Sequence, residues 1–146
     1  MGIKSEMSKK IYLICPVRKV SKEIKLYLDD YVENQELQGN MVHYPHRDVN
    51  QNDPTGMTIM LSHRNAMEKS DEVHAYWVPG SEGSVCDLGM VLMAKKPLKL
   101  INKEEIENWL VKNPGKSYTN VVYELDANYR QTEAWIRITN ARDARK

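Results

Sequence analysis

The segment Val78-Pro79-Gly80-Ser81-Glu82-Gly83-Ser84-Val85-Cys86-Asp87-Leu88-Gly89 decides how the rest of the chain is interpreted. It follows an apolar run from Val73 to Trp77 and leads into apolar residues with helical spacing. This order predicts a strand, a Gly/Ser-rich turn and a helix N-terminus. Free backbone N–H groups and the positive end of the helix dipole favour an anion such as a phosphate at such a junction. We expect Asp87 in the first helical turn, where its carboxylate faces the same cleft.

A structural role also explains this segment. Ser84 would cap the helix and Asp87 would complete a capping box, with neither residue taking part in chemistry. A single Gly-rich turn between a strand and a helix is a weak signal of function. Considered alone, the segment therefore favours the structural role.

Length and composition predict one ordinary domain, residues 1–146, with residues 1–9 as a loose N-terminal tail and residues 103–146 as a C-terminal helical or arm segment. The net charge of +1 gives no reason to expect a nucleic-acid polymer or a membrane as partner. The polar start does not resemble a signal peptide, and no apolar run is long enough to span a bilayer. These features predict a cytoplasmic protein.

Two cysteines, Cys15 and Cys86, have apolar sequence neighbours. We expect both to be buried free thiols in a reducing compartment, because two cysteines do not make a disulfide framework or a metal cluster. No set of residues has metal-ligand spacing, so neither a metal nor a cofactor is predicted.

Four apolar runs alternate with segments of helical spacing. The expected strands are residues 11–15, 41–44, 73–78 and 98–101, and the expected helices lie between Ser21 and Gly39, at 57–69 and at 84–95. This alternation predicts an α/β fold, a Rossmann-like (flavodoxin-like) parallel sheet with helices on both faces. Beyond residue 102, the spacing predicts helices at 103–111 and 117–129, and residues 134–146 read as either a strand or a packing arm.

Polar or turn-forming segments follow three of the predicted strands. They are residues 16–18, the polar loop 46–56 and the turn 79–84. Parallel sheets of this type bind ligands outside the carboxyl ends of their strands, so these segments are expected to meet in one site.

The chain also carries several motifs in a characteristic order: Ile11–Arg18, Tyr44–Gln51, Ser70–Val73, Ser81–Gly89 and Lys95–Leu98. In this order and spacing, residues 10–101 resemble the nucleoside 2-deoxyribosyltransferase superfamily, which includes the 2'-deoxynucleoside 5'-phosphate N-hydrolases. None of the motifs is specific by itself. The resemblance implies cleavage or transfer of the N-glycosidic bond of a (deoxy)nucleoside 5'-monophosphate or a related nucleotide, with a small-molecule nucleoside or nucleotide as partner.

In the family, a Glu before Leu-Gly is the nucleophile that attacks C1' of the sugar, and the resemblance gives this role to Asp87. Asp is one methylene shorter than Glu, and a misplacement of ~1 Å can reduce a rate about a hundredfold. Asp87 is therefore either a repositioned nucleophile or a remnant in a non-catalytic nucleotide-binding or sensing module.

The resemblance also implies a phosphate site. Ser81 stands where the phosphate-preferring hydrolases have Ser and the transferases have Asp, and a carboxylate there would repel a phosphate. Arg18 matches an Arg of the hydrolases and would add charge-assisted hydrogen bonds. Gly83 and Ser84 complete the expected phosphate pocket. For Arg18, the alternative is a solvated surface side chain.

Other positions are expected to bind the remainder of the substrate. Gln51 matches a loop residue that contacts the base, His63 stands where the family often has an active-site Asp, and Tyr12 matches a Tyr of the transferases. Each has a structural alternative, as a solvated loop residue, a bystander histidine or a core residue. Further expected binding residues are Pro16, Val17 and Asp48.

Aromatic side chains are frequent after the fourth predicted strand: Trp109, Tyr118, Tyr123, Tyr129 and Trp135. Large amphipathic side chains are enriched at interface cores, although these rings can also pack on their own sheet. Since family members commonly assemble, we expect a homodimer or larger homo-oligomer that uses helices 57–69 and 85–95 and the C-terminal segment.

Overall fold

The computed structural model describes residues 8–126 and residue 140. Four strands alternate with six helices in this part of the chain: β1 (Lys10–Ile14), α1 (Lys22–Leu37), β2 (Met41–His43), α2 (Pro45–Asp48), α3 (Met57–Lys69), β3 (Glu72–Ala75), α4 (Glu82–Ala94), β4 (Leu98–Leu100), α5 (Lys103–Lys112) and α6 (Tyr118–Leu125). All paired strands are parallel, in the order β2-β1-β3-β4. The predicted Rossmann-like α/β fold is confirmed.

The central strand β1 is buried on both faces, and its side chains alternate between two cores. Ile11 and Leu13 join a core with Leu28 and Val32 of α1. Tyr12 and Ile14 join the opposite core, which also contains the following residues of α3 and α4: Met67, Leu88 and Val91. This alternation directs the Tyr12 side chain toward α3 and α4.

The boundaries of α1 agree with the sequence prediction. The Ser21 hydroxyl accepts a hydrogen bond from the Ile24 N–H at 3.1 Å, which satisfies a donor at the open end of the helix. The helix stops at Leu37, and Gly39 follows with a φ of +94°, a conformation that glycine adopts readily.

The start of α4 differs from the prediction. The turn ends with Gly80 at a φ of +91°, Ser81 is the N-cap residue, and the helix begins at Glu82 rather than at residue 84. The predicted capping box of Ser84 and Asp87 is therefore wrong. Asp87 also lies in the second helical turn, not in the first.

Several other boundaries differ. Strand β3 ends at Ala75 rather than at residue 78, because the backbone N–H and C=O of Trp77 bond to the side chain of Asn102 at 2.9 and 2.7 Å. The polar loop contains the short helix α2, whose first residue is Pro45, a good fit at that position.

The two cysteines have different environments. Cys15 is buried as predicted, and burial raises the pKa of its thiol to about 12. Cys86 is exposed, which contradicts the prediction. The inward positions of α4 are occupied by other residues, namely Ser84, Asp87, Leu88 and Val91.

The predicted tail and C-terminal segment are described only in part. Lys9 is not loose, since its N–H donates to Asn40 Oδ1 at 3.0 Å and its ammonium pairs with Glu72 at 2.7 Å. At the other end, Asp126 Oδ2 accepts the Leu100 N–H at 2.8 Å. The remainder of the tail, the end of the predicted helix 117–129, Tyr129, Trp135 and most of the predicted arm lie outside the described residues. Among the helices that are described, none combines the length and apolar character needed to cross a bilayer.

Candidate functional site

The carboxyl ends of the parallel strands lie at one edge of the sheet, as the fold requires. His46 Nε2 donates to the Pro16 carbonyl at 2.9 Å, which joins the segment after β1 to helix α2. The Tyr76 N–H donates to the Ile14 carbonyl at 2.8 Å, which joins the ends of β1 and β3. The segment after β1 is therefore a neighbour of α2, and the ends of β1 and β3 lie side by side.

A buried carboxyl lies beside this edge. Tyr12 Oη donates to Asp87 Oδ1 at 3.0 Å, although the two residues are 75 positions apart in the sequence. Asp87 is 6% exposed and Tyr12 is fully buried. Asp87 Oδ2 has no hydrogen-bond partner among the described residues, and it is not completely buried. The carboxyl is thus held through one oxygen, with the other left free.

Burial changes the ionisation of this pair. It raises the pKa of Asp87 to about 7, and the hydrogen bond from Tyr12 opposes part of that rise. Burial and the neighbouring carboxylate both raise the pKa of Tyr12, so its hydroxyl remains a donor. A carboxyl that titrates near neutral pH can act as a proton acceptor, a proton donor or, when ionised, a nucleophile.

Two histidines flank Tyr12. The ring of His43 stacks on it with centroids 5.2 Å apart, and the ring of His63 meets it edge-on at 6.1 Å. His63 is among the residues predicted from the sequence, whereas His43 is not. The available signal was the pairing of the first two strands, since His43 lies opposite Tyr12 in the register of β1 and β2.

The Gly/Ser turn precedes Asp87 by about one helical turn. Ser81 Oγ donates to Ser84 Oγ at 3.1 Å, and no side chain caps the N-terminus of α4. Apart from its own helix backbone and chain neighbours, no heavy atom of the described residues lies within 4 Å of the position that a Cβ on Gly83 would take. The surface over the start of this helix is therefore open.

Arg18, the remaining residue predicted to bind phosphate, lies at the surface. Arg18 is exposed and makes no hydrogen bond or ion pair with the residues of 8–126. Its guanidinium is therefore available to a ligand. Pro16 and Val17 are partly buried beside it.

Two other residues predicted to bind the substrate, Gln51 and Asp48, make local hydrogen bonds. The Gln51 amide donates to the carbonyls of Pro45 and Val49 at 3.3 and 3.4 Å, so it stabilises its own loop. Asp48 Oδ2 accepts the Tyr44 N–H at 2.8 Å, and Asp48 pairs with Arg47. Burial opposes ionisation of Asp48, but these partners hold its pKa below the ordinary value. Neither side chain makes a hydrogen bond to Asp87.

Two surface clefts lie apart from the buried carboxyl. One, of about 560 Å³, lies between α1 and α2 and is lined largely by charged residues, including Lys25, Asp29, Glu36 and Arg47. The other, of about 460 Å³, lies beside the Gly/Ser turn and is lined by aromatic residues, including Trp77, Trp109 and Tyr118. Asp87 lines neither cleft.

Within the part of the chain that the structure describes, no group of three or more His, Cys, Asp or Glu side chains could hold a metal ion. Comparisons with known proteins found no match among protein-family models, curated proteins or solved structures. The resemblance described above therefore depends on the sequence motifs alone.

Proposed function

We propose that this protein cleaves or transfers the N-glycosidic bond of a (deoxy)nucleoside 5'-monophosphate or a related nucleotide, with Asp87 as the reactive carboxylate. The observation that supports this most is the buried Asp87 carboxyl, held by Tyr12 through Oδ1 and free at Oδ2. Its pKa, raised to about 7, is the kind of shift that is frequent at functional sites. The type of reaction is inferred from the family resemblance.

The chemistry requires one ionised carboxylate oxygen. Oδ2 forms a bond to C1' of the sugar while the C1'–N bond breaks, and the bond's electron pair leaves with the base, which takes up a proton. Water then cleaves the glycosyl ester, or a second base accepts the sugar. Tyr12 restricts the rotation of the carboxyl by holding Oδ1, so Oδ2 is the oxygen that attacks.

The helix start before Asp87 supports a phosphate on the substrate. The free N–H groups of the first turn, the Ser81 and Ser84 hydroxyls and the exposed Arg18 are all groups that bind phosphate. No acidic side chain stands at position 81, where it would repel a phosphate.

A panel of nucleosides and their 5'-monophosphates tests the proposal. We expect release of free base from at least one monophosphate, with the monophosphate bound ~1.5–3 kcal/mol more tightly than its nucleoside in calorimetry, the scale of a hydrogen bond to a charged group. Ser81→Asp should reverse this preference. Ser21→Asp is the matched control, since it places the same charge on the N-cap of α1, and it should leave the preference unchanged. Equal affinity of the wild type for nucleotide and nucleoside would remove the phosphate from the proposal.

A non-catalytic nucleotide-binding or sensing module is the second candidate. It is favoured by the low exposure of Asp87, 6%, and by the shorter side chain where the family has Glu. A wild-type protein that binds one nucleotide of the panel but releases no base would support this module and contradict the enzymatic proposal.

We also propose that the protein forms a symmetric homodimer or a multiple of it. Helices α3 and α4 expose apolar side chains that a partner would cover: Met57, Met60, Leu92 and Met93. Light scattering at micromolar concentration should return a multiple of the chain mass of 16.9 kDa. Met93→Glu should reduce that mass to the monomer, whereas Leu26→Glu, at an exposed site on α1, should not. A wild-type mass near 17 kDa would rule out the dimer.

A further inference from the structure

His43 and His63 form an unusual pair beside Asp87. Their rings meet edge-on with centroids 5.7 Å apart. His43 Nε2 and His63 Nδ1 are both buried, and neither has a hydrogen-bond partner among the described residues. Buried polar atoms are usually paired, and these two nitrogens do not anchor their rings through hydrogen bonds, so packing on neighbouring rings positions the two side chains.

Both rings pack on Tyr12, one from a strand and the other from a helix. His43 comes from the end of β2 and stacks on the Tyr12 ring at an interplanar angle of 28°, while His63 comes from the middle of α3 and meets that ring at 69°. Tyr12 is fully buried between them, and its hydroxyl is the only hydrogen-bond partner of the Asp87 carboxyl in the described part of the chain. Among the described residues, Tyr12 thus links the two imidazoles to the Asp87 carboxyl, through ring packing on one side and a hydrogen bond on the other.

The surroundings favour the neutral form of both rings. Burial lowers the pKa of His43, with Asp48 of α2 opposing and Arg47 of α2 adding to that effect. Burial also lowers the pKa of His63, and His43 lowers it further. Neutral rings provide no positive charge for the Asp87 carboxylate, so its stabilisation depends on the Tyr12 hydroxyl.

We propose that His43 and His63 are positioning residues that clamp the Tyr12 ring and so hold its hydroxyl on Asp87 Oδ1. For the proposed reaction, on which the catalytic value of this clamp depends, the clamp keeps Oδ2 as the attacking oxygen. An imidazole suits the clamp because it is a planar ring that remains uncharged here.

The pKa of Asp87 provides a test of the clamp that does not require enzymatic activity. The carboxyl carbon of Asp87 can be followed by NMR over pH in protein labelled at aspartate, with the Asp87→Asn variant identifying the signal. The Tyr12 hydrogen bond lowers the pKa of Asp87, so Tyr12→Phe, which removes that bond, should move the titration midpoint upward. The size of this shift is the reference for complete loss of the bond. His43→Leu and His63→Leu should move it in the same direction, because a branched aliphatic side chain cannot stack on Tyr12. His43→Phe and His63→Phe, which keep a planar uncharged ring, should restore the wild-type midpoint.

Each result decides the proposal. Leucine variants with the wild-type midpoint would overturn it, and so would phenylalanine variants that shift as far as the leucine variants. If a leucine variant does not fold, the Tyr12 ring of the wild type gives a second measurement. A clamped ring flips slowly and shows separate NMR signals for its two sides, whereas averaged signals would contradict the clamp. Expected midpoints in a protein that releases no base would contradict the proposed function and leave the clamp intact.

Discussion

Asp87→Ala is expected to abolish the release of free base, with a loss of about 10⁴- to 10⁶-fold in kcat, the range seen when a partner of the nucleophile or the nucleophile itself is removed. The reason is that no other described carboxylate shares the position of Asp87, buried against Tyr12 and one turn beyond the open helix start. Nucleotide affinity should stay within a few-fold, because the groups proposed to bind phosphate precede Asp87 and remain in place. Kinetics with the best substrate of the panel and calorimetry with the same nucleotide measure the two quantities.

Two further variants make this experiment specific. Asp87→Asn keeps an oxygen that can accept from Tyr12, so an inactive Asn variant would assign the loss to the missing carboxylate rather than to packing. Glu104→Gln removes an exposed carboxylate from the first turn of α5, away from the proposed site, and should leave the rate unchanged. If Asp87→Ala releases base as fast as the wild type, the catalytic assignment is wrong.

The rate should also depend on pH in a defined direction. The attacking oxygen must be ionised, and the pKa of Asp87 is about 7. The rate of base release should therefore rise as the pH increases through about 7.

The fold could be predicted because it is specified by local patterns. The run Ile11–Cys15 has no polar alternation, which is typical of a central strand covered on both faces, and β1 is such a strand. Helix α3 has the predicted limits, and α1 begins after the predicted cap. In these segments the spacing of apolar residues and the capping residue indicate the same secondary structure, so few alternative structures fit the sequence.

The site was only partly predictable, since its contacts join residues far apart in sequence. Asp87 and Tyr12 were each proposed, but their hydrogen bond depends on the alternation of β1 and on the point where α4 begins. The start of α4 was misjudged because Ser81 and Ser84 are both acceptable N-cap residues. His43 was missed because no local sequence pattern marks a histidine at the end of a short strand as part of a site. Only its pairing with Tyr12 in the sheet indicates that the two residues are neighbours. Cys86 was misplaced because an apolar sequence neighbourhood does not specify which side of a helix faces the core.

The second large effect concerns stability. An aspartate whose pKa rises from 3.8 to about 7 on folding binds its proton more tightly in the folded state than in the unfolded state. Between these two pH values, the folded protein therefore carries more protons, and the free energy of unfolding falls as the pH rises. Each unit of pKa corresponds to about 1.4 kcal/mol, so the ionised carboxylate of Asp87 destabilises the protein by a few kcal/mol above pH 7. A carboxylate that lowers the stability of the folded protein in this way is typical of a functional site, where activity is retained at the expense of stability.

Asp87→Asn should remove this dependence. An amide does not ionise in this range, so the stability of the variant relative to the wild type should increase steadily between about pH 4 and pH 7 and then remain constant. Urea unfolding at several pH values measures the difference, and its slope with pH is informative even if the buried amide lowers the stability of the variant at every pH. Asp48→Asn is the control of opposite sign, since the pKa of Asp48 is lowered on folding and its carboxylate contributes stability that is lost only as the pH falls below about 4. A difference between wild type and Asp87→Asn that stays constant from pH 4 to pH 8 would mean that Asp87 ionises in the folded protein as it does in water. Such a carboxylate would be solvated rather than held in a low-dielectric site, and Asp87 would then have no physical feature that marks it as the reactive group.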